Sequence, residues 1–285
     1  MNFSSILSEI EKLDPEVYER TSERRDVIKN WGRKVALAAL PFAVGSLFQK
    51  AYGRGTASII DVLNYALTLE YLEAKFYATA AVGDYGGFGG NGPNTAAKAA
   101  LNTIAAHEVS HVAFLRKAII GAGGTPINEP VFDLTGGNGN NNGPFAAAFS
   151  NYSLFLAVAQ TLEDTGVRAY KGAAPDLMSN NTVLTAALNI HSVEARHASH
   201  IRQMRKNLGF ANDVKPWITG NASGVNPASA VAANYAGEEN TTQAMIDIAA
   251  IVGVGGTIGV NAASEAFDEP LTMAAVLTIV DPFIV

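Results

Sequence analysis

Four long stretches of the chain repeat their apolar residues at the spacing of an amphipathic helix. The pattern predicts helices at about 56–80, 95–120, 145–171 and 183–208. Thr56 or Ser58 can cap the first helix, and Gly209 ends the fourth. Because turns rich in Gly, Pro and Asn separate the stretches, we expect four helices packed together in an all-α fold.

One connection between the predicted helices is long and rich in turn residues. Residues 121–144 contain Pro126, Pro130 and the run GGNGNNNGP. A four-helix bundle with one crossover needs a link that travels the length of the bundle, and this segment fits that position. The chain is therefore predicted to comprise an N-terminal helical segment (1–55), a four-helix bundle (56–208) and a C-terminal extension (209–285).

The C-terminal extension has a weaker helical pattern. Helices are expected at about 241–252 and at 271–280, the second introduced by Pro270. The apolar content of this extension is too high for disorder, so we expect it to pack on the bundle.

Ionisable residues interrupt the apolar stripe of each predicted helix. They are Glu70, then Glu108 with His111, then Glu163, then Glu194 with His197. An i, i+3 spacing puts the Glu and His of each pair on one face of a helix. The two halves of the chain thus repeat one pattern, a lone Glu followed by Glu-x-x-His on the next helix.

The repeat predicts that four carboxylates and two imidazoles meet inside the bundle. A single Glu-x-x-His is usually a solvated pair, but here it occurs twice, on faces whose other residues are apolar. This donor set is that of dinuclear carboxylate centres in helical bundles. The chain has no Cys, so a metal site must use oxygen and imidazole donors. Such donors suit two ions of iron or manganese, with zinc as a substitute.

The helical core, about 58–208, resembles the ferritin-like superfamily. Within it the chain resembles bacterial ferritin-like domain proteins related to plant desiccation-related proteins, and the phrase Ala266-Phe267-Asp268-Glu269-Pro270-Leu271 is similar to that group. The resemblance implies an up-down-down-up bundle with two metals. It makes Glu108 and Glu194 bridging ligands and Glu70 and Glu163 terminal or bridging ligands. His111 and His197 would each bind one metal through one ring nitrogen.

The resemblance also implies an acceptor for the other ring nitrogen of each histidine. Many family members place Asp just before the Glu of Glu-x-x-His, where this chain has His107 and Val193. Glu73 and Asp164 are the candidates here. Glu73 is equally well interpreted as a solvated neighbour of Lys75 and Tyr77.

Other residues near the predicted centre have two interpretations. Tyr77 and Tyr170 each follow a lone glutamate by two helical turns. They are interpreted either as core tyrosines with a hydrogen-bonded hydroxyl or as an electron or hydrogen-bond relay beside the metals. His107, His191 and His200 are interpreted as core or surface histidines.

The net charge and the arrangement of charged and apolar residues near the N-terminus bear on the binding partners and on the cellular location of the protein. A net charge of −6 without a basic block argues against nucleic acid as a partner. The apolar run 35–48 is too short for a stable membrane span, and Arg24-Arg25 precede it as in a twin-arginine export signal. We therefore expect a periplasmic or exported protein. The alternative is a cytoplasmic protein whose run 35–48 packs as an ordinary helix.

These features predict an oxidoreductase of the di-iron oxidase, ferroxidase or manganese-catalase type, acting on Fe²⁺, O₂ or peroxide in stress protection. The alternative is a non-catalytic metal-binding or structural protein that protects against desiccation or stress. The sequence is also compatible with a homo-oligomer.

Overall fold

The computed structural model describes residues 57–253 and 255–285. They belong to one compact unit. Four long helices dominate it: α1 (Ile59–Ala81), α2 (Thr95–Gly121), α3 (Tyr152–Ala173) and α4 (Asn181–Asn207). The predicted four-helix bundle is confirmed. The N-terminal segment 1–55, with its arginine pair and apolar run, lies outside the described residues. No helix in the described part is both long and apolar enough to cross a membrane.

A reciprocal pair of hydrogen bonds sets the start of α1. The Ser58 hydroxyl accepts from the Asp61 amide at 3.1 Å, and the Asp61 carboxylate accepts from the Ser58 amide at 3.1 Å. These bonds satisfy two of the amides that have no acceptor inside the helix. Of the two predicted caps, Ser58 is therefore the one used, while Thr56 lies outside the described residues.

The start of α3 differs from the prediction by seven residues. The helix begins at Tyr152 and not at Phe145, because the Asn151 side chain accepts from the Leu154 amide at 3.1 Å and caps it there. The preceding residues form consecutive turns, in which Phe145 and Ala148 are buried. Apolar spacing continues through those turns, so the sequence pattern extended the helix too far.

The helices run up, down, down and up, as expected. Tyr77 contacts Glu163 while Tyr170 contacts Glu70, so α1 and α3 are antiparallel. Each of the two helical hairpins, α1 with α2 and α3 with α4, is also antiparallel. Consequently α2 and α3 point the same way, and the chain must return along the bundle between them.

The returning chain follows α1. Asn64 donates to the Thr125 carbonyl at 3.2 Å and accepts from the Ile127 amide at 2.9 Å, and further along Lys75 lies 3.9 Å from Glu129. The crossover is the structural reason for the long connection.

Asp133 organises the second half of the crossover. Its carboxylate is 1% exposed and accepts from the amides of Thr135, Gly139 and Asn141 at 2.9–3.0 Å. It also accepts from the Thr135 hydroxyl at 2.6 Å. The Asp133 side chain therefore accepts hydrogen bonds from backbone amides that have no acceptor in a helix or sheet.

The C-terminal extension contains α5 (Ala232–Tyr235), α6 (Val260–Glu265), α7 (Met273–Val280) and two small hairpins. The hairpins are β1 (Thr242–Gln243) with β2 (Ile246–Asp247), and β3 (Val252–Gly253) with β4 (Gly256–Thr257). The helix predicted at 271–280 is confirmed, whereas the one predicted at 241–252 is wrong. Ala244 and Met245 have positive φ there, which reverses the chain and prevents a helix.

Arg168 of α3 fastens the extension to the bundle. Its guanidinium is 1% exposed and donates to the carbonyls of Asn234, Ala236 and Glu269. It also lies 2.7 Å from the Glu238 carboxylate. Through these contacts Arg168 joins α3 to the extension at Asn234, Ala236, Glu238 and Glu269.

Candidate metal centre

The structure brings the six predicted ligands together in the middle of the bundle. They come from all four helices: Glu70 of α1, Glu108 and His111 of α2, Glu163 of α3, and Glu194 and His197 of α4. All four carboxylates are fully buried. They meet because each lies in the inward stripe of its helix, at a similar height in the bundle.

His111 forms the centre of one group of ligands. Its Nδ1 lies 3.0 Å from Glu108, 3.1 Å from Glu70 and 3.2 Å from Glu194. A single ring nitrogen therefore faces three carboxylates from three different helices.

His197 has the equivalent place in the second half. Its Nδ1 lies 2.9 Å from Glu108, 3.1 Å from Glu163 and 3.7 Å from Glu194. The pseudo-symmetry of the sequence repeat is thus preserved in three dimensions.

Two overlapping groups of donors follow from these contacts. One consists of Glu70, Glu108, His111 and Glu194, and the other of Glu108, Glu163, Glu194 and His197. In each group the donor atoms lie within 4.8 Å of one another. Glu108 and Glu194 belong to both groups, which is the arrangement needed for two neighbouring cations that share two carboxylates.

The electrostatics of the cluster favour bound cations. Burial, together with repulsion among the carboxylates, raises the pKa of Glu70 and Glu163 well above the usual range. Burial alone would lower the pKa of His111 and His197, but hydrogen bonds to carboxylates outweigh it and raise both to about 12. The cluster therefore attracts positive charge strongly.

Unpaired oxygens point to the same conclusion. Within the described residues, both carboxylate oxygens of Glu194 and Oε1 of Glu108 are buried, and the ring nitrogens of His111 and His197 that lie close to them are not aligned as hydrogen-bond donors. A buried acceptor without a donor costs about 1–3 kcal/mol. These are the two carboxylates that both groups share. Oxygen and imidazole donors of this kind fit divalent iron or manganese, so the residues present fit a dinuclear metal site.

Glu73 is a fifth buried carboxylate, one turn after Glu70. It is 3% exposed, which rules out its interpretation as a solvated neighbour of Lys75 and Tyr77. Burial, then repulsion from Glu194 and Glu163, raises its pKa well above the usual range. Glu73 therefore belongs to the same cluster of negative charges.

The two tyrosines bond across the bundle to the lone glutamates. The Tyr77 hydroxyl donates to Glu163 Oε1 at 2.5 Å, and the Tyr170 hydroxyl donates to Glu70 Oε1. Each tyrosine thus holds the carboxylate of the other half of the repeat. Both tyrosines are buried in the core, Tyr77 with 0% and Tyr170 with 6% of its surface exposed.

His107 has a partner that the sequence analysis missed. Its Nδ1 lies 2.9 Å from Nε2 of His197, and the two rings stack with centroids 5.2 Å apart. It therefore supports the ring nitrogen of His197 that faces away from the carboxylates. The available signal was its position directly before Glu108, where family members place Asp.

The prediction that Asp164 supports a metal-binding histidine is wrong. Its carboxylate pairs with Arg202 and accepts from the Tyr235 hydroxyl at 2.6 Å. Asp164 follows Glu163 directly, so its side chain is turned by about 100° around the helix and faces away from the centre. In the first half of the repeat, Tyr71 and Arg116 form the equivalent bond.

The remaining histidines lie elsewhere, as expected. His191 has its Nδ1 3.0 Å from the Val167 carbonyl, and His200 is exposed.

Comparison with known proteins agrees with this geometry. Residues 58–207 match the family described as Ferritin-like domain, which covers all four helices and every residue of the cluster. The chain belongs to this ferritin-like family. It matches no curated protein. In this ferritin-like protein, the buried Glu and His cluster is compatible with a dinuclear metal site.

Proposed function

We propose that this ferritin-like protein is an oxidoreductase that holds two ions of iron or manganese and acts on Fe²⁺, O₂ or peroxide. The observation that carries the proposal is that two groups of donors share Glu108 and Glu194. Glu70 and His111 would complete one metal site, and Glu163 and His197 the other. Glu108 and Glu194 would be common to both sites.

Iron or manganese, when bound at such a pair of sites, would supply electron-transfer chemistry toward O₂ or peroxide. The residues of the chain hold the donors in position. Tyr77 and Tyr170 restrain the lone glutamates, and His107 restrains the His197 ring. The apolar bundle around the cluster limits access of water. Four ligand carboxylates balance the charge of two divalent ions, which lowers the free energy of burying both.

Metal analysis and oxidation assays test the proposal together. Protein loaded with Fe²⁺ or Mn²⁺ should contain about two ions per chain. Glu108→Gln and His197→Ala should both lower that content, whereas Glu239→Ala, at an exposed position of the extension, should not. Equal metal content in all of these proteins would overturn the assignment of the site.

Activity is measured on the same preparations. Absorbance after O₂ is added to anaerobic Fe²⁺-loaded protein reports oxidation at the centre, and peroxide consumption by Mn²⁺-loaded protein reports a catalase-type reaction. Either activity should fall in Glu108→Gln. Two bound ions without any response to O₂ or peroxide would instead favour a metal-binding protein without turnover.

We also propose, from the sequence alone, that the protein is exported and protects against stress. A double substitution of Arg24 and Arg25 by Lys keeps the charge but removes the planar guanidinium groups. It should retain the protein in the cytoplasm, while the parent protein is exported and shortened near residues 50–55. An intact Met1 on protein isolated from its native host would contradict export.

A further inference from the structure

The two histidines of the candidate metal centre differ in what their second ring nitrogen contacts. In His197, Nδ1 faces the carboxylates, and Nε2 lies 2.9 Å from Nδ1 of His107. His111 also turns its Nδ1 toward the carboxylates, but its Nε2 has no hydrogen-bond partner in the part of the chain that the structure describes. The pseudo-symmetry of the six ligands therefore does not extend to the groups behind them.

The sequence repeat accounts for this difference. His107 directly precedes Glu108 of the first Glu-x-x-His pair, and Val193 directly precedes Glu194 of the second. Since His107 contacts the histidine of the opposite pair, the pseudo-symmetry directs Val193 toward His111. A valine side chain has neither a donor nor an acceptor, so it cannot support a ring nitrogen as His107 does.

Metal binding would fix the direction of the bond between the two imidazoles. A cation at Nδ1 of His197 occupies the lone pair of that nitrogen, so the ring proton lies on Nε2. Nε2 then donates to Nδ1 of His107, whose ring stacks on that of His197. An acceptor behind a metal-binding imidazole fixes its tautomer and orientation and raises its basicity, which strengthens metal binding.

Solvent exposure of the two ligand histidines differs in the same direction. In His111 12% of the side chain is exposed, against 6% in His197. Water weakens the attraction between a cation and the surrounding carboxylates. Both the acceptor and the exposure therefore favour a cation at His197 over one at His111.

We propose that the two metal sites are unequal, and that His107 makes the site of Glu163 and His197 the first to be occupied. We rest this on the proposed function, because it requires two bound ions. His107 is a positioning residue for the His197 ring. The site of Glu70 and His111, which has no such residue, takes the second ion and releases it more readily.

Titration of Mn²⁺ into chelated full-length protein measures both sites, because the electron paramagnetic resonance signal of free Mn²⁺ gives the amount bound. The parent protein should bind about two ions in two steps. Repulsion between the ions also separates the steps, so single-site variants are needed. His111→Ala should retain a tight first ion, whereas His197→Ala should bind its first ion at least about tenfold more weakly. Equal first affinities in these two variants would overturn the proposal.

A double-mutant cycle assigns the difference to His107, an exposed position whose substitution the fold should tolerate. In the His111→Ala background, His107→Leu should weaken the remaining site about 10–100-fold. In the His197→Ala background, which lacks the partner imidazole, it should have no effect. His107→Asn, whose amide oxygen can accept the same hydrogen bond, should restore most of the affinity. Equal losses in both backgrounds, or no rescue by asparagine, would overturn the positioning role.

The converse substitution supplies the acceptor that the weaker site lacks. In the His197→Ala background, Val193→His should tighten binding of the single ion about tenfold, and Val193→Leu should not. Melting temperatures of the chelated variants identify any that fail to fold. Unchanged affinity in folded Val193→His protein would contradict the explanation of the weaker site.

The same titrations distinguish this proposal from the proposed reaction. Two ions that bind unequally without any response to O₂ or peroxide would contradict the oxidoreductase and leave the unequal sites intact. Two ions that bind with equal affinity in a protein that does react would overturn the unequal sites alone. A parent protein that binds no Mn²⁺ and no Fe²⁺ would overturn both.

Discussion

Glu73 and Gly166 occupy equivalent positions in the two halves of the bundle, three residues after the lone glutamates, and the glycine leaves room for the carboxylate. A Cβ added to Gly166 would lie 3.3 Å from Glu73 Oε1 and 3.5 Å from Glu194 Cγ. The pseudo-symmetry of the centre is broken at this pair. A side chain at position 166 would require the Glu73 carboxylate to shift by a few tenths of an ångström.

Gly166→Ala should lower the affinity for metal without lowering the stability of the fold. Alanine within a helix is favoured over glycine by about 0.5–1 kcal/mol, so the chelated protein should unfold at an equal or higher urea concentration. Metal affinity should fall, because the new methyl group displaces the Glu73 carboxylate, whereas its distance to Glu194 is an ordinary van der Waals contact. In a Glu73→Ala background the same substitution should have little effect on affinity. A metal titration that shows equal affinity in parent and Gly166→Ala protein would contradict this account.

Tyr77→Phe should weaken metal binding without unfolding the protein. The substitution removes the donor to Glu163 and leaves that carboxylate free to reorient. Loss of a residue that orients a metal ligand typically weakens affinity by about 10–100-fold. Tyr170→Phe should act in the same direction through Glu70. The matched control is Tyr152→Phe, whose hydroxyl has no partner in the part of the chain that the structure describes. Competition with a chromophoric chelator measures all three affinities.

Arg168→Met should loosen the C-terminal extension. It removes the donors to three backbone carbonyls and leaves the buried Glu238 carboxylate without its cation. Removing one partner of a buried pair typically costs about 3–5 kcal/mol. Limited proteolysis should then cut within residues 236–272 faster than in the parent protein. The exposed Arg196→Met is the control, and equal cleavage rates in both variants would argue against this role.

Asp133→Asn should destabilise the crossover in a pH-dependent way. The hydrogen bond from the Thr135 hydroxyl, followed by those from backbone amides, lowers the Asp133 pKa below its ordinary value of 3.8. Because the folded pKa is lower than the unfolded one, the stabilisation is fully present above pH 3.8 and is lost as pH falls through the folded pKa.

Thermal unfolding at several pH values measures this effect. The difference in melting temperature between parent and Asp133→Asn should be largest near neutral pH and should shrink below about pH 4. Asp213→Asn, at an exposed position, should show no such trend. If the difference in melting temperature between parent and Asp133→Asn protein stays constant below about pH 4, the Asp133 carboxylate is not its source.

The sequence by itself determined the four helices, their order and the inward faces that carry the cluster. Helical spacing fixes which side of its own helix a residue occupies, so Glu108 with His111 and Glu194 with His197 were assigned to inward faces from the sequence. The length of the 121–144 segment likewise required the crossover. The bounds of α2 and α4 agree with the prediction to within two residues at each end.

Only the tertiary structure decided which residues meet across the bundle. The contact of His107 with His197, the turn of Asp164 toward Arg202 and the burial of Glu73 opposite Gly166 depend on how far neighbouring helices are rotated and offset. Those quantities result from packing over the whole interface, and no local spacing encodes them. The late start of α3 and the hairpins at 242–257 have a related cause, since capping bonds and turn conformations there override the apolar pattern.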